Sequence, residues 1–187
     1  MTPFELFFGL TSVILALALT HLANSFQLLL RAGRKVSWAI EPMLQLALVV
    51  MIIVFVWVDQ WHDRNVASFT VPQSILQVLK LLAVYIAAAA VLPEPRDDSQ
   101  IDLRSHYVES RRVTYGALLA GLLLFSAYRL LYYPPGHVPI NNSPFIGLVL
   151  LLTYVSLMIV RWRPYHVAAL MLICTLYAVQ IAPVAIG

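Results

Sequence analysis

The sequence predicts an all-α fold, a bundle of six transmembrane helices with almost no mass outside the membrane. Three observations carry that prediction. Of 187 residues, 61% are hydrophobic and 11% charged, whereas soluble domains average about 25% charged. Mean hydropathy is +0.83, and a single core of this size would leave too few polar groups to coat it. The apolar residues also fall in runs of roughly 17 to 25, the length that crosses a ~30 Å hydrocarbon core.

The runs cover residues 4–30, 42–58, 72–92, 113–133, 144–160 and 165–186. Pro42, Pro72, Pro144 and Pro164 stand at or just before four of the starts, where a missing N–H costs nothing. The first run is the longest and as a helix reaches roughly 40 Å, so it tilts or emerges from the bilayer. No Lys or Arg precedes it and no small-residue cleavage pattern follows, so it is expected to stay as a helix rather than leave as a signal peptide. Runs two and five share a proline start, a similar length and a terminal tryptophan, Trp57 and Trp162. That likeness is a weak signal of a three-plus-three inverted repeat, the plan of many transporters.

Charge sets the expected orientation. The segments 31–41, 93–112 and 161–163 hold three, four and two Lys or Arg, against one in 59–71 and none in 134–143. By the positive-inside rule both termini then face away from the cytoplasm, with Trp38, Trp57, Trp61, Tyr132, Tyr133, Trp162 and Tyr165 at the headgroup belts. The net charge is +3 and the pI near 9.2, but the basic residues are not pooled on one surface, which argues against nucleic acid as a partner.

Polar residues inside apolar runs are the pointers to function, because a charge at the bilayer centre costs roughly 2.5 to 3.5 kcal/mol on insertion scales. Near the cytoplasmic end of helix one, Thr20, Asn24, Gln27 and Arg31 fall within an arc of about 60°, with His21 beside it. This stripe reads as the wall of a cytoplasm-facing cavity or as interhelical hydrogen bonding. On the outer side, Gln73, Gln77 and Lys80 are spaced i, i+4, i+7, with Arg129 at comparable depth and Glu5 and Asp59 as the available acids. These read as an anion-attracting vestibule, or as ion pairs with snorkelling cations. The loop 93–112 carries five acids and four arginines. From Asp102 as N-cap it can form a turn or two of amphipathic helix.

Helix one (GLTSVILALALTHLANSFQLLLRAGRKVSW) and the loop (VLPEPRDDSQIDLRSHYVESRR) resemble a group of small bacterial multi-pass membrane proteins without an assigned activity. The shared features are a Gly-Leu…Thr-His-Leu helix, matched by Gly9, Thr20, His21 and Leu22, and a Leu-Pro-x-Glu…Asp-Leu-x-x-Tyr-Tyr…Arg loop. The second is matched by Leu92, Pro93, Glu94, Asp102, Leu103, Tyr107 and Arg111, with His106 in place of the first tyrosine. The resemblance implies a cytoplasmic-side site joining Thr20, His21 and Asn24 to Glu94, Asp102, Tyr107 and Arg111. It implies no reaction or cofactor.

Cys174 alone excludes an intrachain disulfide or a CxxC motif. The five histidines show no metal-ligand spacing, so no metal is expected. Bis-histidine haem would rest on His21 and His166 alone, and no cofactor is expected. No phosphate loop or GxSxG elbow is present.

The leading expectation is a non-enzymatic bacterial inner-membrane protein, both termini periplasmic, acting as an accessory or scaffold subunit. Its partners would be membrane lipids, other membrane proteins or copies of itself. The alternatives are a homo-oligomeric channel or transporter with polar half-sites in opposite leaflets and, more weakly, an intramembrane lipid-modifying enzyme.

Overall fold

A computed structural model describes residues 3–61, 70–93, 100–132 and 144–182. Within them lie six helices: α1 Pro3–Ala32, α2 Ile40–Asp59, α3 Val71–Val91, α4 Leu103–Tyr132, α5 Pro144–Ile159 and α6 Arg163–Ile181. Five of them are long and apolar enough to cross a membrane. The exception is α5, whose 16 residues extend about 24 Å, short of a ~30 Å core.

Local chemistry explains the boundaries. Pro42, Pro72, Pro144 and Pro164 all lie in first turns. At α3 the start is reinforced by a capping box, in which Thr70 Oγ1 accepts from Gln73 N at 3.5 Å and Gln73 Oε1 accepts from Thr70 N at 2.7 Å. α1 ends at Gly33, whose φ of +53° is the left-handed conformation that closes helices and favours glycine.

α4 departs from the expected span. It begins at Leu103, so the second half of the charged loop 93–112 is helix continuous with the membrane segment. Asp102 Oδ1 accepts from Arg104 N at 2.9 Å as an N-terminal cap. Leu103, Tyr107, Arg111 and Thr114 then form one buried stripe, at the spacing of a helix face. The rest of the loop, residues 94–99 and with it Glu94, lies outside the described residues.

The helices alternate in direction, as cross-contacts from Arg129 to Asp59 and from Arg163 to Glu41 require. The two ends of α2 therefore name the ends of the bundle, a Glu41 end and an Asp59 end. At the Glu41 end two short strands, β1 (Val36–Ser37) and β2 (Ile101–Asp102), pair in parallel, Val36 opposite Ile101 and Ser37 opposite Asp102. This ties the α1–α2 connection to the entry of α4.

α3 and α4 share the largest interface. Ala83, Ala87 and Ala88 are buried on α3, and a Cβ at Gly121 would stand 3.6 Å from that of Ala83. Small residues on both sides let the backbones approach, the usual means of helix association in lipid. α1 packs along α3, α2 on α6, and α5 on α4. A three-plus-three repeat would pair α4 with α6 as α1 pairs with α3, and α5 with α3 as α2 pairs with α6. Neither interface is of comparable extent, so the packing does not follow the likeness between runs two and five.

The core is a single cluster running through all six helices, from Leu22 and Leu29 to Leu157 and Ile173. Large apolar side chains are also exposed on every helix, among them Leu17, Val54, Ile75, Leu123, Leu152 and Val179. In water so extensive an apolar surface would drive aggregation; against lipid it is the stable arrangement. Aromatic rings gather at both ends, Phe4, Phe8, Trp57 and Trp61 at one and Phe26 with Trp38 at the other, as expected of headgroup belts.

Candidate functional site

At the Glu41 end, α4 and α6 build a buried hydrogen-bonded cluster. Tyr107 Oη lies 2.6 Å from His166 Nδ1 and 3.1 Å from Tyr115 Oη. His166 Nε2 lies 2.9 Å from the Val160 carbonyl, to which Arg111 Nη1 also donates at 2.6 Å. Arg111 Nη1 also lies 3.4 Å from His166 Nε2, and in the tautomer that serves the closer Val160 carbonyl Nε2 carries the hydrogen and Nδ1 accepts from the Tyr107 hydroxyl. In that tautomer the Tyr107 oxygen is left to accept from Tyr115. Arg111 closes the end of α5 by satisfying one of its terminal carbonyls. Beside it, Arg163 Nε donates to Glu41 Oε1 at 2.5 Å; the arginine side chain is 51% exposed and the glutamate 3%. Glu41 Oε2 and both amide atoms of Gln45, one turn further along α2, are buried without a hydrogen-bond partner.

This cluster takes two of the residues singled out by sequence, Tyr107 and Arg111, and gives them partners that the sequence did not suggest. His21 is half-buried, while Thr20, Asn24, Gln27 and Arg31 lie on the exposed face of α1, opposite its buried stripe of Leu15, Ala18, Leu22, Ser25 and Leu29. Thr20 Oγ1 donates to the Ala16 carbonyl of its own helix at 2.8 Å. Asp102 serves the α4 cap. The structure therefore does not join the α1 stripe to Tyr107 and Arg111.

At the Asp59 end, Arg129 Nη2 donates to Asp59 Oδ1 at 2.5 Å, an ion pair in which both side chains are nearly buried. Arg129 Nη1 is buried without a partner. The Arg129 guanidinium lies 4.6 Å from the centroid of the Phe125 ring, and Lys80 Nζ lies 5.2 Å from the same ring and 5.5 Å from that of Tyr128. Such cation–π contacts contribute about 0.5 to 2 kcal/mol each, more as water is excluded. Lys80 is 3% exposed, and these rings form part of its surroundings within the bundle. Of the remaining expected residues, Gln73 is committed to the capping box, Gln77 is buried with an unpartnered Oε1, and Glu5 is exposed near the start of α1.

Lys80 and Arg129 border a cavity of about 650 Å³, walled by α2, α3, α4, α5 and α6. Its α4 wall runs over residues 118–130, about 18 Å along the helix axis, close to the ~15 Å half-thickness of a ~30 Å core. Phe55, Leu122, Ile146 and Leu150 are typical of its lining; the polar members are few, chiefly Lys80, Arg129, Ser126, Gln180 and the hydroxyls of Tyr154 and Tyr177. Tyr154 Oη and Tyr177 Oη lie 3.3 Å apart, and the Tyr154 ring stacks on Tyr115 with centroids 6.4 Å apart. The cavity floor therefore touches the cluster at the Glu41 end. Gly147 on α5 also lines it, and a Cβ there would meet nothing within 4 Å.

Sequence reasoning missed Glu41, Gln45, Tyr154, Tyr177 and Gln180, and weighed His166 only as a haem ligand. Glu41 and His166 sit at the edges of apolar runs, where a polar residue is ordinary, and the tyrosines read as apolar filling. The signal that could have found Glu41 and Gln45 is their i, i+4 spacing on the first turns of α2.

Fold and surface define the class: this is a polytopic α-helical membrane protein. No protein-family model matches the chain, and no curated protein or solved structure matches it significantly.

Proposed function

We propose that this membrane protein holds the apolar chain of an amphiphile in the cavity among α2, α3, α4, α5 and α6. The observation that carries the reading is the cavity itself. Its volume of about 650 Å³ falls within the roughly 300 to 1,000 Å³ of ligand sites, and an apolar wall with few convergent polar groups is the usual lining of such sites. Its length along α4 suits one leaflet. In a bilayer the molecule that meets such a space is a lipid, and an empty apolar space of this size forfeits the dispersion contacts of its whole lining.

Gly147 provides the test. Gly147→Trp projects an indole into open space, and tryptophan is a better helix residue than glycine, so the fold is expected to survive with an unchanged melting temperature. Native mass spectrometry of protein extracted gently from its membrane should show wild type carrying amphiphile that Gly147→Trp lacks. Equal retention by both proteins, or none by wild type in the presence of added lipid, would sink the reading.

A second reading, an accessory or scaffold subunit, is favoured by the exposed polar arc Thr20, Asn24 and Gln27 on α1. Polar side chains on an outward helix face serve as hydrogen-bonding glue between membrane helices. Asn24→Cys in a Cys174→Ala background is expected to give an oxidative cross-link in native membranes, at twice the monomer mass for a second copy and at another mass for a different partner. Absence of any cross-link at Asn24 and at Gln27 would remove that reading.

A further inference from the structure

Resting on the reading of the cavity as an amphiphile site, we infer that its ligand carries an uncharged head with both an acceptor oxygen and a donor hydroxyl, the chemistry of an acylglycerol, and that Gln180 of α6 recognises that head. Gln180 lines the cavity and is 8% exposed. Among the described residues its amide has no hydrogen-bond partner. The amide atoms of Gln45 are enclosed by protein, whereas that of Gln180 opens on the cavity. A buried amide in this condition calls for a donor to its Oε1 and an acceptor for its Nε2. One helical turn earlier, Tyr177 shares the wall, and its hydroxyl lies 3.3 Å from that of Tyr154. Two hydroxyl hydrogens meet in that pair and the contact uses one of them. Neither tyrosine has another hydrogen bond among the described residues, so whichever one donates, the O–H of the other is left for an incoming acceptor.

The charged members of the lining are committed within the protein. Arg129 Nη2 donates to Asp59, and Arg129 Nη1, though without a partner, is enclosed by protein atoms. Lys80 lies against the Phe125 and Tyr128 rings and is engaged further. The groups open to a ligand are therefore neutral, with N–H and O–H donors and one amide carbonyl. A fatty-acid carboxylate supplies acceptors alone and leaves Gln180 Oε1 without a donor, and a phosphodiester brings a charge to an apolar space whose cations are already engaged. An acylglycerol supplies an ester carbonyl to the O–H and N–H donors and a free hydroxyl to Oε1. Its chain then lies along Phe55, Leu122, Ile146 and Leu150.

The test is competition for the delipidated full-length protein, read by native mass spectrometry, among three ligands with the same chain: 1-monooleoylglycerol, methyl oleate and oleate. The first offers acceptor and donor, the second an acceptor alone, the third a charge. Wild type should retain monooleoylglycerol over either competitor by on the order of tenfold, the effect of one buried polar group left unmatched. Gln180→Leu should bring monooleoylglycerol to the level of methyl oleate without lowering the melting temperature, because exchanging an unpartnered amide for an apolar side chain of similar size leaves nothing unsatisfied. Tyr177→Phe should weaken both esters alike. If a variant unfolds, the wild-type ratios decide. Equal retention of monooleoylglycerol and methyl oleate by wild type, blocked by Gly147→Trp, would overturn the inference about the head and leave the cavity reading intact. A preference for oleate, or a Gln180→Leu protein that keeps the wild-type ratio, would overturn it likewise. If wild type retains none of the three yet leaves its own membrane carrying amphiphile that Gly147→Trp lacks, the head inference falls alone; if it carries none there either, the cavity reading falls with it.

Discussion

The ion pair of Glu41 and Arg163 is asymmetric, and the asymmetry has measurable consequences. Glu41 is buried and Arg163 is half-exposed, so removing one partner is not equivalent to removing the other. Arg163→Met leaves a carboxylate inside the bundle without its counter-charge, for which breaking buried pairs suggests about 3 kcal/mol. Glu41→Gln keeps the shape and frees an arginine that reaches water, and is expected to cost about 1 kcal/mol or less. Thermal unfolding in one detergent should therefore rank Arg163→Met well below Glu41→Gln, and the reverse order would show that Arg163 does not hold the carboxylate. Tyr107→Phe removes the bridge between His166 and Tyr115 and leaves two buried groups unsatisfied, at a cost of about 2 kcal/mol. At this scale the sequence was half legible. Lys80 and Arg129 stood out as charges in apolar runs, and Asp59 was named among their acids, because expense in lipid makes a charge conspicuous. His166, Glu41 and Gln45 did not stand out, because only packing shows that a polar residue near a helix end is buried.

Elements were more legible than residues, since a run of some twenty apolar residues with proline at its start leaves little choice but a spanning helix. The exception, α4, is instructive. Hydropathy marks where the chain enters lipid, not where the helix begins, and α4 begins ten residues earlier because Asp102 caps it and Leu103, Tyr107 and Arg111 keep one face buried. Asp102→Ala should cost about 1 kcal/mol, as lost N-caps do, and should raise amide exchange over residues 103–107 while leaving the middle of α4 protected. The α3–α4 interface offers the complementary test. Ala87 is fully buried one turn from Ala83, whereas Ile86 is 49% exposed. Ala87→Leu should destabilise by about 1 to 3 kcal/mol through overpacking, and Ile86→Ala should be nearly neutral where lipid refills the space. A neutral Ala87→Leu would mean that the two helices do not depend on small residues for their approach.

For the molecule as a whole, charge and cavity combine into one geometric expectation. The segments richest in arginine and lysine, 31–41, the entry of α4 and 161–163, all lie at the Glu41 end, tied there by the β1–β2 pair and by Arg163. The positive-inside rule counts these short flanking segments, and from it the Glu41 end is expected on the cytoplasmic side. The cavity lies toward the other end, in the half of the bundle holding Arg129 and Lys80, and on that expectation belongs to the leaflet that faces away from the cytoplasm. Single cysteines in a Cys174→Ala background read this directly. Ser37→Cys and Arg104→Cys should react with a membrane-impermeant maleimide only when the cytoplasmic face is accessible, and Val71→Cys, at the start of α3, only from the opposite face. The reversed labelling pattern would place the cavity in the cytoplasmic leaflet. With the expected pattern, a short-chain labelled amphiphile added to the outer face should be captured by wild type and not by Gly147→Trp before it equilibrates across the bilayer. The two measurements are linked, because α4 carries its Asp102 cap and its cavity wall on one continuous helix, so the side on which Arg104 is labelled fixes the leaflet in which the cavity lies.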